Sequence, residues 1–502
     1  MSYIFIVFSA ILLIIPFTYP DLYFLTWVGL IPALFSLLNK RDKGWESLTK
    51  GWLLGTLLMG GIGYWLFFPV AEFTGLPYTG ILIILILLFL IFGSIYGLWA
   101  YSFVKIQLGN KFHPVLLAVS WTALEYLRYK IFNFFPLGFL GYSQLNFDKL
   151  IQFTEYGGVF LITFIVILLN GFLYKLFKYG HKKSILAFFL IICLISGWGY
   201  IKMNNIEDNL EESINIGIVP TQISQQDKWS PDNIEKNIDM IFKKIYQIKE
   251  SDLVITPETS LTFDITRNEY YRNIFKEKME SVNTYIQVGS QAAKSENKNN
   301  NHIRSNSSFL IGPEGNIIYR YNKNHLVLFG EYIPFRKIVN RVAGTGLNSL
   351  ASGNQIVIFE KNGVSWKTVT CSEILKPIFV QKKSEKVNFM INQTNEAWYK
   401  NSNLKNQMWA AAKFRAVENR LPVVRAGNYA YNGIIYPEGN TTKRDFELQD
   451  SFTVDIKTLN YSTLYQRWKN YFGYISALIW MVIIILKLYA YFSRRKKLNS
   501  TD

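Results

Sequence analysis

Two kinds of hydrophobic pattern divide this chain. Over about the first 200 residues the apolar positions come in long, nearly unbroken runs. From Lys202 to Asn470 they come in short runs separated by polar and turn-forming residues. A last apolar run precedes a basic tail. A helix needs about 20 apolar residues to cross the hydrocarbon of a bilayer. Spans are therefore predicted near Ile4–Pro20, Tyr23–Leu38, Trp52–Ala71, Ile81–Val104, Pro114–Leu127, Val159–Leu176, Ser184–Ile201 and Tyr471–Tyr491, about eight in all. Pro114–Leu127 is the weakest, being short and carrying Glu125. Glu125 is expected near the interface, the other reading being a buried polar group with a role. The first run is expected to stay as a span rather than act as a cleavable signal, because it lacks a basic leader and a second run follows at once.

The pattern predicts three regions: residues 1–201 as a seven-span membrane domain, 202–470 as a polar domain, and 471–502 as an eighth span with a basic tail. Basic residues in the loops orient the spans. Lys40, Arg41 and Lys43, then Lys105 and Lys111, then Lys175, Lys178, Lys182 and Lys183, and finally Arg494, Arg495, Lys496 and Lys497 fall on one side if both termini share it. The positive-inside rule makes that side the cytoplasm. Arg128 and Lys130 run against the rule. The polar domain is then expected outside the cytoplasm. The stretch from Phe132 to Tyr142, aromatic and glycine-bearing, is too irregular to span; it is expected as an interfacial belt or a groove lining for acyl chains.

In the polar region, strand-like runs recur at Ile214–Val219, Leu253–Thr256, Tyr285–Gly289, Ser308–Ile311, Lys367–Cys371, Phe389–Asn392 and Gly433–Tyr436. Helical patterns lie between them at Pro231–Ile248 and Asn403–Asn419. Pro313–Asn316 and Pro437–Asn440 are turn signals that predict hairpins. The mixture implies a layered α/β or α+β domain.

Composition changes this picture little. The formal charge is +17. The cations are scattered or flank apolar spans, so nucleic acid is not an expected partner. No phosphate-loop or dinucleotide fingerprint occurs. The four histidines are dispersed, so no metal and no cofactor is expected. Two cysteines make no disulfide framework. Cys193, inside an apolar run, is expected as a small buried hydrophobe. Cys371 is left as a free thiol.

Cys371 ends a strand-like run and is followed by Ser372 and Glu373. Glu258 ends the run Leu253–Thr256 after Pro257, and Lys323 stands in Tyr321-Asn322-Lys323-Asn324-His325. A thiol needs a base or a lowered pKa to attack. A partly desolvated carboxylate supplies the base, and an ammonium stabilises a thiolate or an oxyanion. Residue types alone make a weak signal in a chain of this length.

The surrounding strings are more specific. Thr256-Pro257-Glu258, Tyr321–Val327 followed by Leu328-Phe329-Gly330-Glu331-Tyr332-Ile333-Pro334, Cys371-Ser372-Glu373-Ile374, Asn395-Glu396-Ala397-Trp398 and Phe414–Asn419 resemble the ordered motifs of the nitrilase superfamily. Phe135–Gln144 and Thr463–Arg467 resemble its membrane-embedded branch, the apolipoprotein N-acyltransferases. The resemblance covers essentially the whole chain. It implies a multi-pass α-helical membrane domain plus an external nitrilase-like α-β-β-α sandwich, in the bacterial inner membrane, with both termini cytoplasmic. It implies a Glu258, Lys323, Cys371 triad. Cys371 would take an acyl chain from a phospholipid as a thioester and pass it to the α-amine of a diacylglyceryl-modified apolipoprotein. Glu331, Glu373, Trp229, Ser372 and Asn395 match supporting or substrate-binding positions. Ser372 replaces the usual Tyr, Glu396 the usual Asp, and Ser224 a usual Pro. Three other readings stay open: a membrane-tethered amidase acting on a small external amide, a Cys-His hydrolase using His325, and a transporter or receptor.

Overall fold

The structure, a computed structural model, describes residues 2–39, 44–74, 76–107, 111–133, 135–294, 303–327, 330–332, 349–377, 387–442, 447, 450–459 and 461–499. Lys40, Arg41 and Lys43 of the first basic cluster lie outside these residues, as do Phe134 and the motif residues Leu328, Phe329, Ile333 and Pro334. The chain divides into two units. One comprises residues 1–67, 76–203 and 463–502; the other comprises 68–75 and 204–462.

In the first unit, long apolar runs satisfy their own backbone as helices, which hydrocarbon requires. Helical segments stand where the eight spans are predicted. Among the described residues six are long and apolar enough to cross a membrane: Pro20–Leu37, Gly44–Glu72, Tyr78–Gln107, Thr154–Tyr179, Lys183–Glu207 and Tyr471–Ser493. Ser2–Thr18 is apolar but short, and Pro114–Ile131 carries Glu125, Arg128 and Lys130. Small residues let helices approach closely: a Cβ on Gly93 would lie 2.2 Å from Thr56 Oγ1.

Three expectations for this unit are corrected. Glu125 takes the second of its two readings, a buried polar group. It is fully buried and accepts from Trp121 Nε1 (3.1 Å), Leu140 N (2.9 Å) and Thr163 Oγ1 (2.7 Å). The irregular stretch is neither a belt nor an open lining, since residues 135–145 are buried. The reason is shared. The first backbone N–H groups of the 3-10 turn Leu140–Gln144, set among apolar helices, have no partner within the turn and need acceptors; Glu125 supplies one at Leu140 and Thr163 one at Gly141 (3.0 Å). Cys193 is exposed, on a helix whose surface is mostly unburied within the unit. On a membrane helix an apolar side chain meets its solvent, the lipid, by facing outward.

Thr463–Arg467 has a packing role as well. Thr463 caps a short helix, Leu464–Trp468, by accepting from Gln466 N. That helix seats the buried Tyr465 against Gly158, whose φ is +64°. A Cβ on Gly158 would lie 2.4 Å from the Tyr465 ring. Gly158→Ala combines strain in a backbone conformation that is essentially glycine's alone (φ +64°, ψ −162°) with overpacking, each worth about 1–3 kcal/mol. A lower thermal unfolding midpoint in detergent is the expected result; an unchanged midpoint would remove the notch from the account.

The second unit holds eleven strands among the described residues: β1 Glu211–Ile218, β2 Leu253–Ile255, β3 Tyr285–Ala293, β4 Arg304–Ile311, β5 Ile317–Asn322, β6 Ile358–Lys361, β7 Val364–Thr370, β8 Phe389–Asn395, β9 Val423–Asn428, β10 Gly433–Ile435 and β11 Phe452–Thr458. They form two sheets, ordered β11-β1-β2-β3-β4-β5 and β10-β9-β8-β7-β6. β1, β2 and β3 run parallel to one another, as do β7, β8 and β9, and the remaining pairings are antiparallel. Helices Ile234–Tyr246 and Glu269–Val282 bury Ile238, Ile241, Phe242, Phe275 and Met279 against Val254, Val288 and Phe309 of the first sheet. The helix Leu404–Asn419 packs on β9 and β10 of the second. The layers are therefore helix, sheet, sheet, helix. Both predicted turns are present. Gly312 N bonds Asn316 O (3.0 Å) between β4 and β5, and Tyr436 N bonds Asn440 O (2.9 Å) after β10.

The two sheets are joined by amides rather than by apolar contact alone. Gln287 Nε2 on β3 donates to Thr368 Oγ1 on β7 (2.7 Å), and Trp366 Nε1 donates to Gln287 Oε1 (2.8 Å). Gln393 Nε2 on β8 donates to the carbonyl of Thr256, just past β2 (2.7 Å). Parallel strands of both sheets end on one side of these joints, and the candidate chemistry lies there.

Candidate active site

Glu258 follows β2 after Thr256-Pro257, and the next residue, Thr259, is held at φ +49°. Lys323 directly follows β5. Cys371 directly follows β7, at φ +49°, and opens a 3-10 turn, Cys371–Leu375. A non-glycine residue in that backbone region is strained and persists only where its surroundings fix it. Here Asn392 Nδ2 holds the Cys371 carbonyl (3.3 Å), and Glu373 Oε2 accepts from Thr370 N (2.8 Å).

Lys323 Nζ lies 3.2 Å from Glu258 Oε1 and 2.8 Å from Glu331 Oε2, with its side chain 1% exposed. Asn306 Nδ2 on β4 donates to both carboxylates, to Glu258 Oε1 at 2.6 Å and to Glu331 Oε1 at 2.7 Å. Burial alone would lower the Lys323 ammonium. Glu258 and Glu331 more than reverse this and hold it well above the ordinary lysine range. Lys323 is therefore a permanent cation.

Cys371 is buried, and burial pushes its thiol up to about 12. The Glu258 charge adds to that rise, while Lys323 and a hydrogen bond with Thr394 oppose it. The resting group is thus a neutral thiol. A carboxylate that can take its proton is within its field, and so is a fixed cation that would favour the thiolate.

Glu373 sits beneath this cluster rather than in it. It accepts from Tyr321 Oη (2.8 Å), Asn324 N (2.7 Å), His325 N (2.9 Å) and Thr370 N. It thereby ties the loop carrying Lys323 to the turn carrying Cys371. Burial pushes its carboxyl up to about 7 against the pull of these bonds. The His325 ring nitrogen Nδ1 meets Lys376 Nζ at 3.4 Å.

Trp229 lies on a short helix, Gln225–Trp229. Its Nε1 donates to Gln225 Oε1 (3.0 Å), and Gln225 Nε2 donates to Asn395 Oδ1 (3.0 Å). Asn395 also accepts from Asn428 Nδ2 (3.0 Å), so it is a support for the Trp229 helix. Ser372 is half-buried beside Cys371. Glu396 is buried and paired with Arg425.

Two family models match the chain. The apolipoprotein N-acyltransferase N-terminal domain matches residues 9–172, and the carbon-nitrogen hydrolase domain matches residues 220–449. An apolipoprotein N-acyltransferase of Geobacter metallireducens is 27% identical over 88% of this chain and 86% of its own. One of Rickettsia bellii is 28% identical over 94% of this chain and 95% of its own. The chain belongs to the apolipoprotein N-acyltransferase family. Another member, of Haemophilus ducreyi, is 25% identical over 95% of this chain. Among solved structures, an amidase from Nesterenkonia sp. covers 49% of this chain and 90% of its own, at 14% identity and a TM-score of 0.38.

The site contains residues that the motifs did not single out. Asn306 was one, although its signal was present: Ser305-Asn306-Ser307-Ser308 is an all-polar run inside a buried strand. Tyr399 is another. It is buried, and burial holds its phenol well above the usual range, with Glu258 and Glu331 adding to the rise and Lys323 opposing it. Lys228 is a third, and its amine donates to the Glu258 carbonyl (3.0 Å).

Proposed function

We propose that this chain transfers a fatty acyl group from a phospholipid to the N-terminal diacylglyceryl-cysteine of a lipoprotein, through a thioester on Cys371. The observation that carries this reading is the cluster of Lys323 between Glu258 and Glu331, beside a buried neutral thiol. Glu258 takes the Cys371 proton as sulfur attacks the sn-1 ester carbonyl, with phosphatidylethanolamine the family's usual donor. The tetrahedral oxyanion lies against the Lys323 ammonium. The ester C–O bond breaks, Glu258 returns its proton to the leaving alkoxide, and a lysophospholipid departs. The α-amine of the lipoprotein then attacks the thioester. Its proton passes to Glu258, the C–S bond breaks, and the proton ends on Cys371. Acyl activation is conserved throughout, so the cycle draws on no nucleotide.

Trp229 lies on the acyl side of the site, held by Gln225 and Asn395. Ser372 stands where the family pattern has Tyr. We place residues 202–470 on the extracytoplasmic face of a bacterial cytoplasmic membrane, with residues 1–201 and 471–502 supplying the spans and both termini inside. The basic loops support that orientation, and both substrates are anchored in the same membrane.

Intact mass measurement tests the reading. After incubation with phospholipid micelles, the protein should gain one acyl mass. Hydroxylamine should remove it, a diacylglyceryl-cysteine peptide should discharge it, and Cys371→Ala should never acquire it. An unmodified mass in protein that turns over would sink the proposal. Acylation without discharge to the peptide would indicate a different acceptor.

A further inference from the structure

We propose that Lys228 is a positioning residue for this reaction, a second cation that fixes the turn carrying Glu258, the base. The inference rests on the proposed thioester chemistry. Lys228 is 2% exposed, on the helix Gln225–Trp229, and its amine donates to the Glu258 main-chain carbonyl at 3.0 Å. That carbonyl precedes Thr259, the strained residue at φ +49°. The Glu258 peptide is therefore gripped from outside its own strand at the point where the backbone is least able to hold itself. A misplacement of about 1 Å at a reacting group can cost about 100-fold in rate.

The charge balance points the same way. Glu258, Glu331, Lys323 and Lys228 sum to zero around the neutral thiol. Without Lys228, Glu258 and Glu331 share one ammonium, that of Lys323. Glu258 is the charged group whose field acts on Lys228; Asp227, on the same helix, is exposed and turned to Ser224 Oγ. Burial brings the Lys228 ammonium down to about 8, with Glu258 opposing the fall. Lys228 thus loses its charge as pH rises through that value, while Lys323 keeps its own and the thiol, at about 12, does not titrate.

Single-turnover acylation of Cys371 by phospholipid micelles, followed by mass across pH 5–10, separates the possibilities. The native protein should lose rate above about pH 8. Lys228→Arg, whose charge is permanent, should keep near-native rate and carry the plateau to higher pH. Lys228→Met should lose about 10- to 100-fold at saturating lipid below pH 8, with half-saturation unchanged and the gap to the native protein narrowing above that pH. A native alkaline limb in Lys228→Arg would overturn the proposal, even if Lys228→Met fails to fold. An equal loss at every pH in Lys228→Met would reduce Lys228 to packing. Absence of acylation in the native protein would instead strike the underlying chemistry.

Discussion

Glu258→Gln is expected to slow acylation of Cys371 by about 10²- to 10⁴-fold, the range that a positioned general base supplies. The substitution is nearly isosteric. The glutamine oxygen can still accept from Lys323 Nζ and Asn306 Nδ2, which hold Glu258 Oε1 now. Stability should therefore change little, and what disappears is basicity. The size of the loss follows from the thiol. Burial has pushed Cys371 up to about 12, so solvent alone leaves only a minute thiolate fraction near neutrality. In the variant the proton must go to hydroxide, and the residual rate should climb about tenfold per pH unit on the acid side of the thiol's pKa. The native enzyme, with its internal base, should show no such slope across neutrality. Single-turnover acyl mass against pH reads both behaviours. Native-like acylation in Glu258→Gln would move the base to another residue.

The sequence made the ends of the strands readable but not what holds them. Glu258, Lys323 and Cys371 each follow a short run in which apolar or β-branched residues lead into a polar one, and the structure puts each at the end of β2, β5 and β7. The strands β6, β9 and β11 are not predicted. β6 is an edge strand, where one side meets solvent and the hydrophobic pattern is weak. β9 directly follows a fully buried helix, and its Val423–Asn428 run is buried throughout, so periodicity has nothing to contrast. Asn306 escaped for a different reason. Its role is defined by two carboxylates distant in sequence, Glu258 and Glu331, that meet only once β4 lies beside both. Glu125 shows the same limit in the membrane unit. A carboxylate in a weak span reads as interfacial until a segment 15 residues later folds back to donate Leu140 N. Local pattern reports what a segment prefers; these partners exist only through the tertiary fold.

Lys323→Met should be at least as damaging, and for two separable reasons. The ammonium sits between Glu258 and Glu331 with its side chain 1% exposed. Removing it takes away the cation facing the oxyanion, worth about 10²- to 10³-fold. It also leaves two buried carboxylates sharing Asn306 Nδ2 without a counter-charge. Breaking a buried pair this way costs about 3–5 kcal/mol. The strained pair relieves itself by taking up a proton, so its folded-state pKa rises above the unfolded value of about 4.3. A carboxyl raised in this way is fully accommodated below the unfolded value, and stability is lost as pH rises through the folded value. The unfolding midpoint of Lys323→Met should therefore approach the native one in acid and fall away from it toward neutrality. In the native protein Lys323 is held well above the ordinary lysine range, so its own contribution persists across that interval. Lys323→Met combined with Glu331→Gln removes one of the two charges. The double variant should regain most of the stability and none of the acyl transfer. Recovery of both would make Lys323 a counter-ion only; recovery of neither would mean that the ammonium stem, not its charge, holds this side of the site together.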